Sequence, residues 1–201
     1  MVRTHCVPFL IAAVLSTAFI ARGVAQEHRC IDRIYPSKNT RTGPEFQFDQ
    51  TFAGDAGGAY SCDLQMRPSQ LRIALDEFRN GVLYHDPRSL ASVILFPIRV
   101  HVFDSLAVDG KKRAIVIRNV SAWYSFQQEY FTPIQKALVA CSYLGNVTPT
   151  NGQSPGVMVG LGGFWFQSFV GSWKVKLTAV NIVPITPAML SKACIPPGEE
   201  N

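Results

Sequence analysis

What this sequence lacks narrows its chemistry first. Its 201 residues include only 5 cysteines and 4 histidines, and no two cysteines stand as CxxC. Zinc sites usually bring their ligands in such close pairs, so no metal is expected. The P-loop, HExxH and Rossmann glycine patterns are missing, and no serine nucleophile elbow is expected. No cofactor is implied. Nor is there a concentrated basic stripe: 19 Lys and Arg against 14 Asp and Glu give a formal charge of +5 spread along the chain. A nucleic-acid reader gathers its cations on one face, so nucleic acid is not an expected partner. The densest cluster, Lys111-Lys112-Arg113, follows Asp109-Gly110 and reads as a solvated hairpin tip.

The first 25 residues are different in kind. Arg3 and His5 give a positive start, residues 7–20 an apolar run, and Gly23 and Ala25 small residues before Gln26. That is the pattern of a cleavable secretion signal. The run is shorter than the roughly 20 residues that span a bilayer, and Arg22 ends it. Cleavage removes two positive charges and leaves a formal +3. No later segment is long and apolar enough for a membrane span, so no stable insertion is expected after cleavage. The expected location is periplasmic or secreted.

Four cysteines remain after cleavage: Cys30, Cys62, Cys141 and Cys194. An even number in an exported chain points to disulfides. Three pairings are possible. Cys30 with Cys194 and Cys62 with Cys141 is the preferred one, because the first bridge would tie the two ends together. A loop that long is worth about 4 to 5 kcal/mol in the chain-entropy model.

One domain is expected after the signal. Residues 26–66 are rich in Gly, Pro, Thr, Asp and Gln and read as an irregular arm. Order begins near Arg67, where Pro68 suits a first helical turn. Leu71, Ala74, Leu75, Phe78 and Val82 then recur at helical spacing. The helix should end near Asn80-Gly81. Asp86-Pro87 gives a cap and a first-turn proline for a short second helix. Residues 95–103 alternate as a strand, with Ile98, Val100 and Val102 on one face and Arg99, His101 and Phe103 on the other. Ala114-Ile115-Val116-Ile117-Arg118 completes a hairpin. Asn119 or Ser121 caps a long helix whose inner stripe is Val120, Trp123, Tyr124, Gln127, Tyr130 and Phe131, and Thr132-Pro133 kinks or restarts it. Its second half carries Ile134, Ala137, Leu138 and Cys141. A polar loop over 145–155 leads to strands at 156–159, 164–169 and 174–180, turned by glycines. Residues 182–201 read as an extended tail held by Cys194. The fold class is α+β, a curved antiparallel sheet wrapped as a cone around a long helix, over residues 67–181.

Phe96-Pro97-Ile98-Arg99-Val100, Ile117-Arg118-Asn119 and Glu129-Tyr130-Phe131-Thr132-Pro133-Ile134 resemble the nuclear transport factor 2-like superfamily. Gly156-Val157-Met158-Val159-Gly160, Phe164-Trp165-Phe166 and Thr178-Ala179-Val180-Asn181 are similar to its closing strands. The resemblance is to small exported bacterial members without an assigned activity, and covers residues 67–181. It implies an α+β cone that serves enzymes, binding modules and dimerisation domains alike.

Enzymes on such a cone place an acid or histidine inside it, beside a donor that polarises a carbonyl. The groups available are His85, Asp86, His101, Asp104, Glu129, Tyr124 and Tyr130. Asp86 is better read as a helix cap, Asp104 as solvent-facing, and the two tyrosines as core residues with one polar tip. Arg99 and His101 share a face that either lines a pocket or is a solvated outer sheet face. With Tyr130 they form the candidate catalytic set. Trp165 and Trp173 are candidates for a partner surface, since aromatics are enriched at interface centres. Asn119-Val120-Ser121 and Asn146-Val147-Thr148 fit the glycosylation consensus. The leading expectation is a non-catalytic exported binding or accessory module for a protein or small ligand. The alternatives are an isomerase- or dehydratase-type enzyme using the cone pocket, and a structural homodimer.

Overall fold

Residues 34–35, 37–55, 66–104, 112–150, 156–169 and 174–194 are described by the computed structural model. The chain divides into two units, Met1–Ala59 and Tyr60–Asn201. In the first, the arm carries regular structure that its composition does not advertise: a 3-10 turn at Lys38–Thr40 and helix α1 (Pro44–Asp55). Pro44 sits at the first position and Glu45 in the first turn, both favourable at a helix start. The buried Asp49 carboxylate accepts a hydrogen bond from the Tyr35 hydroxyl at 2.6 Å. Tyr35 and Phe46 meet edge to face with ring centroids 5.1 Å apart. Cys30 and Cys62 lie outside the described residues.

Among the described residues the first helix of the second unit is α2 (Pro68–Leu83), whose buried stripe contains Leu71, Ala74, Leu75, Phe78 and Val82 at the expected spacing. The helix runs past Asn80-Gly81, where it was expected to stop. Gly81 serves close approach instead: a Cβ there would lie 2.4 Å from Cγ of Leu90. Leu90 belongs to α3 (Pro87–Val93), and Asp86 caps that helix by accepting from the Arg88 N–H.

The described residues hold six strands, β1 (Ile94–Phe103), β2 (Lys112–Ile117), β3 (Thr148–Thr150), β4 (Gly156–Val159), β5 (Phe164–Ser168) and β6 (Val175–Ile182). They form one open sheet in the order β2-β1-β6-β5-β4-β3. The β1–β2 hairpin and the β4–β5–β6 meander are antiparallel as expected. The sheet is mixed, however, because β1 and β6 pair in parallel. The parallel pair seams a hairpin to a meander, and their connection is long enough to hold helices α4 (Val120–Tyr130) and α5 (Pro133–Ala140). The β1–β6 register shifts between Ile94 and Arg99, a stretch containing Pro97, which has no N–H to give the ladder. β3 lies inside the segment read as loop. At three residues centred on Pro149, it is too short for alternation to announce it.

Asn119, rather than Ser121, caps α4 by accepting from the Ala122 N–H. Thr132 caps α5 by accepting from the Gln135 N–H at 3.2 Å, so the long helix does restart at Thr132-Pro133. The stripe that α4 buries is Trp123, Phe126 and Gln127, with Tyr124 and Tyr130 half-buried. Against it β5 sets Phe164 and Phe166, both buried. Phe78 of α2 lies at the centre, 4.9 Å from Phe164, 5.9 Å from Phe166 and 6.1 Å from Trp123 between centroids, all edge to face. Phe131 closes the group, 5.9 Å from Trp123 and 6.4 Å from Phe164. Edge-to-face aromatic packing fills the interior between helices and sheet.

The tail is not wholly extended: it contains α6 (Pro187–Ala193), capped by Thr186, with no buried residue. Cys194 at its end is bonded to Cys141 at the end of α5. The expected partnership of Cys30 with Cys194 is therefore corrected, and that of Cys62 with Cys141 with it. The Cys141–Cys194 separation of 53 residues corresponds to about 4 kcal/mol of loop-closure entropy.

Candidate binding face

Burial along the strands separates the two faces of the sheet. Ile98, Val100, Ile117, Val157, Val159, Phe164, Phe166, Leu177 and Val180 are all buried and form the inner face, toward the helices. On β1 the intervening positions are the exposed Leu95, Pro97 and Arg99 and the half-buried His101 and Phe103. Across from them on β2, Ala114 faces His101 and Val116 faces Arg99. Leu95 is 42% and Val116 52% exposed. Large apolar side chains so open, next to a cation, form a mixed outer face on β1 and β2.

The candidate catalytic set does not converge. Arg99 and His101 are on this outer face. Tyr130 is on the helix side, its ring stacked on Phe126 at 4.9 Å and its hydroxyl accepting a hydrogen bond from Arg113. The Arg113 guanidinium also sits 5.3 Å from the Tyr130 ring centroid. Arg113 is opposite Val102, on the inner side, so the sheet separates Tyr130 from His101. Arg113 is exposed, as expected of a solvated hairpin, and the period-2 alternation Arg113, Ile115, Ile117 puts it on the helix side of the sheet.

His101 is held below its ordinary pKa, first by partial burial and then by the positive charges of Lys112 and Arg99, against a hydrogen bond with Asn181 that raises it. Asn181 is its neighbour on β6. A neutral imidazole at neutral pH follows. Lys112 places its ammonium 5.7 Å from the Phe103 ring centroid.

The other candidates are scattered. Glu129 and Asp104 are exposed. Asp86 is held below the usual carboxylate range by hydrogen bonds from the Ser89 hydroxyl and the Arg88 N–H, which fits a cap. His85 adopts φ 57° in the turn before it, with its ring 5.5 Å from that of Tyr124. Burial raises the Tyr124 phenol, and its buried hydroxyl has no hydrogen-bond partner among the described residues. Trp165 is half-buried on the outer side of β5, between Met158 and Ala179. It lies over Gly156, where a Cβ would come within 2.6 Å of the indole nitrogen. Trp173 lies outside the described residues.

Two surface grooves escape a purely sequential reading. One, of about 370 Å³, is lined by Ile73, Glu77, Ser92 and Lys176. There Lys176 donates to the Ser92 carbonyl, and burial lowers its pKa. The other, of about 440 Å³, adjoins the disulfide and includes Asn146, Met158 and Leu161. Asn146 already gives its side-chain amide to the carbonyl of Ala193, so its consensus sequon has a structural use. Neither groove includes Arg99, His101 or Tyr130.

Gly152-Gln153-Ser154-Pro155-Gly156 does carry the letters GxSxG, contrary to expectation. An elbow of that kind needs a strand before it and a helix after, whereas Gly156 opens β4. Ser154 lies outside the described residues. Among the described residues no group of three or more His, Cys, Asp or Glu is placed to hold a metal ion, and no helix is long and apolar enough to cross a membrane. Comparison with protein-family models, curated proteins and solved structures gives no match.

Proposed function

We propose that this chain is a small exported binding or accessory protein, non-catalytic, whose working surface is the outer face of β1 and β2. The observation that carries this reading is the division between the two faces. The interior is filled by Phe78, Trp123, Phe164 and Phe166, whereas Val116 stands open opposite Arg99 and Leu95 is exposed further back along β1. Exposed apolar groups set among cations on a sheet face, with no acidic residue on either strand, suit an interaction surface. The separation of His101 from Tyr130 across the sheet argues against a shared catalytic pocket. The amino-terminal signal pattern supports release outside the cytoplasm, where the disulfide persists. The similarity to nuclear transport factor 2-like cones fits the helix–helix–hairpin–helix–meander order, and the binding members of that superfamily are the relevant analogy.

The test is capture from the native periplasm on the immobilised exported protein, compared with a Leu95→Asp, Val116→Asp variant. The same partner should be held by the parent and lost by the variant, while Lys192→Glu on α6 retains it. Capture that is indifferent to the double substitution contradicts this assignment. Light scattering of the purified protein separates a partner-seeking monomer from a homodimer through the same face.

A further inference from the structure

We infer that the partner contributes an extended acidic segment, which adds to the sheet as a further strand along β2. The inference rests on the outer-face binding reading and specifies its partner.

Among the described residues the two edges of the sheet are β2 and β3. β3 is three residues long with Pro149 at its centre, and a short edge containing proline offers few N–H groups to an incoming chain. β2 has six residues and no proline. Among the described residues its one strand neighbour is β1. Its middle is Ala114-Ile115-Val116, with Val116 half open to solvent. An edge of that length without proline has the N–H and C=O groups to pair with a further strand. Two exposed cations stand at its start, Arg113 against Tyr130 and Lys112 by Phe103, and they would meet an incoming chain with positive charge.

Charge selects the kind of strand. No Asp or Glu occurs in any of the six strands, which carry Arg99, Lys112, Arg113 and Lys176 together with His101. On the outer face Arg99 is opposite Val116, and Lys112 is opposite Phe103. A basic segment laid along β2 would be repelled by Arg99 and Lys112. A segment alternating acidic and apolar residues sets its carboxylates beside those cations, since side chains two apart share a face. Backbone hydrogen bonds then supply affinity and the alternating side chains supply selectivity.

The experiment is a fluorescence-anisotropy titration of the full exported chain against a labelled octapeptide of alternating Glu and Val. The matched Lys–Val octapeptide is the control. The Glu–Val probe should bind, weaken as salt is raised, and lose at least tenfold in affinity when its alternate amides are N-methylated along one edge. Arg99→Glu with Lys112→Glu should cost at least tenfold, and Lys192→Glu nothing. Failure of the Glu–Val probe to bind, equal binding of the Lys–Val probe, or indifference to N-methylation overturns the inference. If the probe fails while capture still depends on Leu95 and Val116, strand addition falls and the binding reading stands. If both fail, both fall.

Discussion

The two faces of this sheet are made from alternate residues of the same strands, yet they are built to opposite rules. The inner face is apolar, with Phe164, Phe166, Ile98 and Val100 closed against Phe78 and Trp123. The outer face of β1 and β2 mixes Leu95 and Val116 with Arg99, His101 and Lys112. Because strand side chains alternate with period two, neighbours such as Arg99 and Val100 are one residue apart in sequence and in different surroundings. The difference teaches that stability is concentrated on one face, which leaves the other free to be specified by something other than folding.

Substitutions can break that contrast, beginning with the largest effect. Phe166→Ala should lower stability by about 3 to 5 kcal/mol in urea melts. Leu95→Ala and Val116→Ala on the outer face should stay within about 0.5 kcal/mol, and a cost of inner-face size at either would erase the distinction. Replacing Cys141 and Cys194 by Ser should cost about 2 to 4 kcal/mol, and mapping of non-reduced peptides should recover a fragment that joins the two. Gly81→Ala should cost about 1 to 3 kcal/mol by forcing Leu90 away, despite the better helix propensity of alanine; a gain in thermal midpoint would show that α2 and α3 are less tightly apposed. Thr132→Ala should cost about 1 kcal/mol through loss of the α5 cap.

The smallest effect is electrostatic and belongs to the outer face. The His101 imidazole should titrate by NMR below its ordinary value of about 6.5, and Lys112→Met should raise its midpoint. Because the folded pKa is the lower one, the unfolded chain takes the proton first. The His101 contribution is therefore whole above about pH 6.5 and declines as the pH falls through that value toward the folded midpoint. A midpoint above 6.5 would contradict the environment described.

Local grammar made most of the fold legible. The caps at Asp86 and Thr132 followed by proline marked two helix starts, and alternation in β1 separated Ile98 and Val100 from Arg99 and His101. The same Thr-Pro signature at Thr186-Pro187 opens α6, but that helix buries no residue, so no apolar stripe confirmed it in the sequence. The parallel β1–β6 pairing and the Cys141–Cys194 bridge join segments far apart in the chain. Tertiary approach decides such contacts, and neither periodicity nor turn chemistry encodes it. The candidate set Arg99, His101 and Tyr130 was assembled by residue type. Its division across the sheet depends on how α4 lies over β2, which local pattern leaves open.

Hydrogen–deuterium exchange of the full chain with and without the Glu–Val octapeptide puts the working face to the most direct test. Amides of residues 112–117 should slow on addition of the peptide, while those of 148–150 at the opposite edge keep their rates. Unchanged exchange in β2, or protection that appears at β3 instead, would contradict the addition of an acidic strand along this edge.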